Sequence, residues 1–190
     1  TVTSSIFGRV VDENGNGVYG ATAIAGGKTT TTDANGIFKI NNATLDKELS
    51  FVKITKSGFF DGLRTFVVSA DNTNNVEIVL LSKSLKGSFS SASGATINVS
   101  ADASILFPAN AIKNADGTIY TGTVNVYSKY LDPTDAEFIT KMPGNLLGLK
   151  TDGTENILET FAMLSVELED VGGNKLNIAD GKEAIISATV

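Results

Sequence analysis

Residues 6–40 read IFGRVVDENGNGVYGATAIAGGKTTTTDANGIFKI, and this stretch decides the fold. Two clusters, 12–17 and 33–36, combine Asp, Asn and Gly, the residues that best accept the backbone angles of a tight turn. The residues between them are rich in β-branched types, and Phe38 and Ile40 flank Lys39 at the two-residue period of a half-buried strand. The run Thr29 to Thr32 favours extended backbone and offers its hydroxyls to solvent. The stretch therefore predicts short β-strands joined by glycine turns.

The chain has 190 residues without a single cysteine or histidine, and its formal net charge is −6. It therefore lacks thiol and imidazole groups, which supply many nucleophiles and metal ligands and the usual titration near neutral pH. A negative charge disfavours phosphate backbones, whose binding depends on Lys and Arg. We expect a protein that is not an enzyme, needs no cofactor and does not bind nucleic acid.

Apolar residues make up 42% of the chain, which is enough to bury a core. No apolar run approaches the about 18 residues that predict a membrane span. We expect no transmembrane segment in this sequence, and any export signal or lipid anchor would lie outside it.

Strand-like alternation continues at 48–55, 63–70 and 76–81, so that residues 1–82 predict about seven strands of a first β-sandwich. The segment 83–94, KSLKGSFSSASG, is serine-rich and predicts a linker.

Alternation returns in residues 95–190 and is clearest where Leu164, Val166 and Leu168 alternate with polar residues. This half predicts a second β-rich domain with at most a short helix at 132–141. Its last residues, AIISATV, are strand-like up to the end, so we expect the domain to be truncated here and to continue beyond Val190.

Several motifs of the first half resemble the carboxypeptidase regulatory-like domain. In order along the chain they are GRVVD at 8–12, NGNG at 14–17, YGATAIAG at 19–26 and TDANGIFKI at 32–40. One departure is Val18, where that family often has proline. The resemblance implies a transthyretin-like β-sandwich and an accessory module of a secreted or cell-surface protein.

The second half resembles the β-domain of ankyrins and netrin receptors, and surface proteins similar to cartilage intermediate layer protein. The residues concerned are ILFPANAI at 105–112, NADGTIYTGTVNVYSKYLDP at 114–133, FAM at 161–163 and GNKL at 173–176. In those families the module mediates protein contacts without catalysis, and this resemblance implies the same role here.

Asp12, Asn14 and Asn16 alternate as the first ligands of a calcium loop do. Calcium requires six to eight oxygen ligands, including an acidic group later in the loop, and 18–21 contain none. Turn geometry is therefore the favoured interpretation of these residues, with calcium binding as the alternative.

Tyr127 lies on the polar face of its predicted strand and is the best candidate for a ring that stacks on a sugar. A packing role remains the favoured interpretation. Glu167 and Glu169 share one strand face, where two carboxylates usually mark a solvated surface rather than an acid–base pair.

The sequence thus predicts two consecutive β-sandwich domains of a structural, adhesion or protein-interaction module at the cell surface or outside the cell. If the source is bacterial, we expect association with the outer membrane. The alternatives are a carbohydrate-binding module, or an accessory domain of an enzyme whose catalytic part lies elsewhere. The expected partner is a protein or a glycan.

Overall fold

The computed structural model describes residues 1–69, 73–144, 147–152, 154–157 and 163–188. It is 53% strand and 2% helix, which confirms the all-β class expected from the sequence. The chain divides into two compact units, which combine separate stretches. Unit 1 comprises Thr1–Ser82 and Thr134–Thr160, and unit 2 comprises Lys83–Pro133 and Phe161–Val190. Parts of the strand segments and motifs named in the sequence analysis lie outside the described residues, namely residues 70, 161–162 and 189–190.

The described part of residues 1–82 forms two sheets. Its strands are β1 (Val2–Val11), β2 (Thr22–Ala25), β3 (Lys28–Thr31), β4 (Ile37–Leu45), β5 (Ser50–Thr55), β6 (Gly62–Phe66) and β7 (Asn74–Val79). One sheet has the order β4-β1-β7 and the other β3-β2-β5-β6. β1 pairs antiparallel with β4 and parallel with β7. Inward side chains such as Ile6, Phe38 and Val52 form one buried core.

Hairpin turns with one shared geometry explain the Asp, Asn and Gly clusters. Asp12 N donates to Asn16 O at 2.9 Å, and Gly15 N donates to Asp12 O at 3.0 Å. The loop from Asp170 to Asn174 repeats both bonds, at 2.9 and 3.1 Å. The glycine of each loop has a positive φ, 81° at Gly15, which reverses the chain without a side-chain clash. Asp33 N donates to Ile37 O at 2.9 Å and Gly36 N to Asp33 O at 3.0 Å, so the turns predicted at 12–17 and 33–36 are confirmed.

Thr32 departs from the solvent-facing role expected of the threonine run. It is buried, and its hydroxyl donates to Val18 O at 2.6 Å while accepting from Ala21 N at 2.8 Å. The hydroxyl satisfies two backbone groups at the entry to β2, because a buried backbone group without a partner is costly.

Unit 2 begins with β8 (Leu85–Ser90), β9 (Ala95–Asn98), β10 (Ala103–Phe107), β11 (Ile112–Asn114) and β12 (Thr123–Leu131). The chain then contributes α1 (Phe138–Lys141), β13 (Leu147–Leu149) and β14 (Glu155–Ile157) to unit 1. It returns to unit 2 with β15 (Met163–Glu169), β16 (Lys175–Ile178) and β17 (Ile185–Ala188). The two sheets of unit 2 have the orders β11-β16-β15-β12-β8 and β17-β10-β9.

The core of unit 2 lies between these sheets. The rings of Phe89 and Phe107 stack with centroids 5.0 Å apart, and Ile105, Ile112 and Val126 are buried around them. Packing of this kind holds the two sheets face to face, as in other β-sandwiches.

The organisation differs from the sequence-based expectation in the segment 83–94 and in the second half. Leu85–Ser90, within the predicted linker, is strand β8, because Phe89 is buried while Ser88 faces outward and its hydroxyl donates to the Asn125 side chain. Residues 134–160, inside the predicted second domain, group with unit 1. The short helix begins at Phe138 rather than after Asp132. The two compact units therefore do not coincide with the limits 1–82 and 95–190, and these limits stay a proposal.

Candidate functional site

A groove of about 430 Å³ opens in unit 2 where β15 and β16 diverge. These strands are registered only at Leu168↔Leu176 and Glu169↔Lys175, and the other edge of β16 pairs with β11. Most of the groove lining is apolar and comes from both sheets: Ile105, Phe107, Leu168, Leu176, Ile178 and Ile186. Glu167, Lys175 and Asn177 also border the groove, although the side chains of Glu167 and Lys175 meet on the outer face of their sheet. The volume lies within the range of small-molecule clefts, and the lining is mostly apolar.

Strand β17 bounds the groove on the side of the smaller sheet. In the described part of the chain its neighbour is β10, so its other backbone edge has no strand paired to it. Ile185 and Ile186 are 56% and 55% exposed. An exposed apolar edge strand is a template for pairing with another extended segment.

Tyr127, Glu167 and Glu169 come together on the outer face of the five-stranded sheet, around Lys83. Lys83 Nζ lies 2.6 Å from Glu167 Oε2 and 2.9 Å from Glu169 Oε1. It also lies 5.9 Å from the centroid of the Tyr127 ring. The cluster consists of a lysine shared by two carboxylates with an aromatic ring beside it.

Charge balance in this cluster favours an ion-pair network over acid–base chemistry. Burial of the Lys83 ammonium opposes its charge, but hydrogen bonds to Glu167 and Glu169 outweigh this effect and raise the pKa of Lys83 above its usual value. Lys175 Nζ adds a longer contact of 3.4 Å to Glu167 Oε2. Tyr127 is half-buried with a cation near its ring, so it is not the freely exposed ring that a sugar platform requires.

Lys83 was missed by the sequence analysis, which placed it in a linker. It pairs with Glu169 from 86 positions away, and no local pattern reports a contact across that distance. The sequence contains only an indirect sign of this lysine. Two carboxylates on one strand face require either a nearby cation or a fully solvated surface.

The carboxylate of Asp12 is engaged within its own turn. Its oxygens accept from Asn14 N and Asn16 N, both at 2.9 Å, and from Asn16 Nδ2 at 3.1 Å. The Asn16 side chain is the main cause that lowers the pKa of Asp12, followed by the backbone N–H groups. Among the described residues no group of three or more acidic side chains is placed to hold a metal ion. The calcium alternative for Asp12, Asn14 and Asn16 stays a prediction.

Comparison with known proteins gives limited similarity. No family model matches the chain, so the resemblance to the carboxypeptidase regulatory-like domain remains a prediction. The chain is 32% identical to human cartilage intermediate layer protein 2 over 68 residues, which is 36% of this chain and 6% of that protein. This chain therefore matches only a small part of its relative. The chain thus has a partial likeness to a protein of the cartilage intermediate layer type, whereas the expected resemblance of residues 95–190 to the β-domain of ankyrins and netrin receptors stays a prediction.

Two solved structures align with nearly the whole chain. The shaft pilin SpaA of Lactobacillus rhamnosus GG has 13% identity and a TM-score of 0.32, and the alignment covers 99% of this chain and 88% of the pilin. A Bacteroides uniformis protein whose carbohydrate binding is inferred has 9% identity and a TM-score of 0.26, with complete coverage of both chains. Both TM-scores are low, and we draw nothing about this chain from either structure.

The described residues contain a single four-residue helix, α1, and no helix there has the length and apolar character needed to cross a bilayer.

Proposed function

We propose that this chain is a non-enzymatic protein-interaction module of a secreted or cell-surface protein. In this proposal unit 2 binds an extended segment of a partner protein along β17 and the groove. The observation that carries the proposal is the combination of an unpaired strand edge with an apolar groove directly beside it. Similarity to a human protein named for the intermediate layer of cartilage supports a location outside the cell.

Binding by strand addition uses both parts of this surface. The N–H and C=O groups on the free edge of β17 would pair with the backbone of the partner segment, which supplies affinity without sequence preference. Every second side chain of the segment would enter the groove, which Ile186 of β17 lines together with Leu176 and Ile178 of β16. The preferred partner therefore alternates apolar and polar residues.

The test uses synthetic peptides of about ten residues, the length of an ordinary strand, in which valine alternates with threonine. We expect saturable binding by fluorescence anisotropy. Binding should weaken at least about tenfold when the peptide is N-methylated at alternate residues, because methylation removes its backbone donors.

Two isoleucines of β17 provide matched variants for this measurement. Ile186 lines the groove, whereas Ile185 pairs with Leu106 of β10 and does not line it. Ile186→Asp should abolish peptide binding, and Ile185→Asp should retain most of it, with circular dichroism confirming that both variants fold. Equal loss in both variants, or binding that ignores N-methylation, would refute strand addition. Saturable glycan binding that is lost in Tyr127→Ala would replace it with the carbohydrate alternative.

A further inference from the structure

The connection between β12 and β15 is unusual because it joins two neighbouring strands of unit 2 by way of unit 1. The strands are antiparallel and registered from Asn125↔Glu169 to Leu131↔Met163, where a short turn would suffice to join them. The chain instead inserts residues 134–160 into unit 1. The first part of this insertion, residues 134–144, is called the strap below.

Arg64 of β6 holds the strap through its backbone. The guanidinium donates from Nη2 to Thr140 O at 3.0 Å and from Nη1 to Gly144 O at 3.4 Å, while Nε donates to Glu77 O at 3.2 Å. Gly144 N donates in turn to Leu63 O at 2.7 Å. One half-buried arginine therefore joins β6 and β7 to the carboxyl end of α1.

Apolar anchors hold the same segment. Phe138 and Met142 are buried, with Met142 only 2% exposed. They lie one helical turn apart, and Met142 N donates to Phe138 O at 2.9 Å. Lys141 ends α1 and forms ion pairs with Asp135 and Glu137. The strap is thus an ordered part of unit 1 rather than a loose loop.

We propose that the strap couples the stability of the β12–β15 pair to the folding of unit 1. While the strap is bound, residues 134–144 of the connection are already held, and pairing of β12 with β15 closes a shorter flexible path. If the strap is released, β12 and β15 must close a longer loop, which costs more conformational entropy. By thermodynamic reciprocity, pairing of β12 with β15 favours binding of the strap. Arg64 is the residue that sets the strength of this coupling.

The test replaces the guanidinium and measures hydrogen exchange in the full chain. Arg64→Met keeps the apolar stem and removes the three donors. Amides of Thr123–Leu131 and Met163–Glu169, remote in sequence from Arg64, should exchange about twofold faster. The control is Arg9→Met, because Arg9 is exposed and its guanidinium donates to Gly15 O at 3.3 Å, far in sequence from the strap. This control should leave exchange in both strands unchanged.

A second variant separates release of the strap from damage to β6. Phe138→Ala removes an apolar anchor of the strap and leaves the donors of Arg64 in place, so it should accelerate exchange in β12 and β15 in the same way. The proposal is overturned if strap amides such as Gly144 N lose protection while β12 and β15 keep theirs. It is equally overturned if a variant unfolds unit 1 and leaves the protection of these two strands intact.

Discussion

Gly36 lies where a hairpin turn touches the backbone of β1. Its φ is 76°, and Val10 N donates to its carbonyl oxygen at 2.8 Å. A Cβ built on Gly36 would collide with the carbonyl oxygen of Val10, whereas a Cβ on Gly15 would meet open space at a similar φ of 81°. The two glycines therefore separate the cost of an unfavourable φ from the cost of a collision.

We expect Gly15→Ala to lower the free energy of unfolding by about 1 kcal/mol, the cost of a left-handed alanine. Gly36→Ala should lower it by about 3 kcal/mol or more, because the β1 backbone must also move. Urea denaturation followed by circular dichroism measures both values. Equal losses would mean that the contact with Val10 relaxes without cost.

Asp12 links turn geometry to acid stability. Hydrogen bonds from the Asn16 side chain, and then from backbone N–H groups, lower the pKa of Asp12 below its ordinary 3.8. A lowered folded-state pKa contributes stability above the unfolded value, and this contribution is lost as the pH falls through the folded value. Asp116, Asp152 and Asp170 have pKa values lowered by bonds of the same kind.

The free energy of unfolding of the native chain should therefore fall as the pH drops below 3.8. In Asp12→Asn the titrating group is gone while an acceptor oxygen remains, so this variant should lose less stability over the same range. Urea titrations between about pH 5 and pH 2 measure the difference. If the free energy of unfolding of the two proteins changes equally with pH, Asp12 does not contribute to the loss of stability in acid.

At the scale of elements, alternation in sequence predicted strands that lie inside a sheet. β15 is central in its sheet, between β16 and β12, in the place where Leu164, Val166 and Leu168 alternate with polar residues. β5 likewise lies between β2 and β6. β8 escaped prediction because one inward phenylalanine, Phe89, anchors it among small polar residues.

The candidate site was less accessible to sequence analysis than the strands. Its components come from β10, β15, β16 and β17, and the divergence of β15 from β16 has no local signature. Tyr127 and Glu167 were singled out separately, and their register as direct neighbours across β12 and β15 depends on the fold. Long-range pairing is set by the whole core, which a local window does not contain.

The pairing of β8, β12 and β15 brings Lys83 against two carboxylates, and we expect this lysine to matter more than Lys175. Their side chains are 15% and 59% exposed, respectively. Lys83→Met should cost about 2 kcal/mol, since it leaves two neighbouring carboxylates without their main partner. Lys175→Met should cost less than about 0.5 kcal/mol, as for an exposed ion pair.

The pH dependence of the Lys83 ion pairs provides a control for the Lys83→Met measurement. Because the pKa of Lys83 is raised, its contribution to stability is complete below 10.5 and is lost as the pH rises through the folded value. The difference in free energy of unfolding between the native chain and Lys83→Met should therefore decrease at strongly alkaline pH. A constant difference across that range would assign the loss to packing instead of charge.

At the scale of the whole molecule, residues 1–82 do not contain all the contacts of unit 1. A fragment of these residues lacks Met142 and Pro143, which line a small cavity with Leu63 and Ile78. It also lacks the carbonyl partners of Arg64 on the strap. The burial of a side chain such as Met142 is worth about 2 kcal/mol.

We expect the 1–82 fragment to fold with lower stability than the same residues have in the full chain. Hydrogen exchange should show the largest loss of protection in β6 and β7, which contact the strap, and a smaller loss in β2 and β3. Identical protection in the fragment and the full chain would show that the first 82 residues are self-sufficient.

The parallel pairing of β1 with β7 has a consequence for synthesis on the ribosome. β1 acquires β4 as soon as the first half of unit 1 has emerged, but its second side stays open until Asn74–Val79 leaves the exit tunnel. During that interval the nascent chain exposes an unpaired strand edge that can pair with other chains. Slow translation between residues 45 and 80 would prolong this exposure, whereas a chaperone bound at β1 would protect the growing polypeptide.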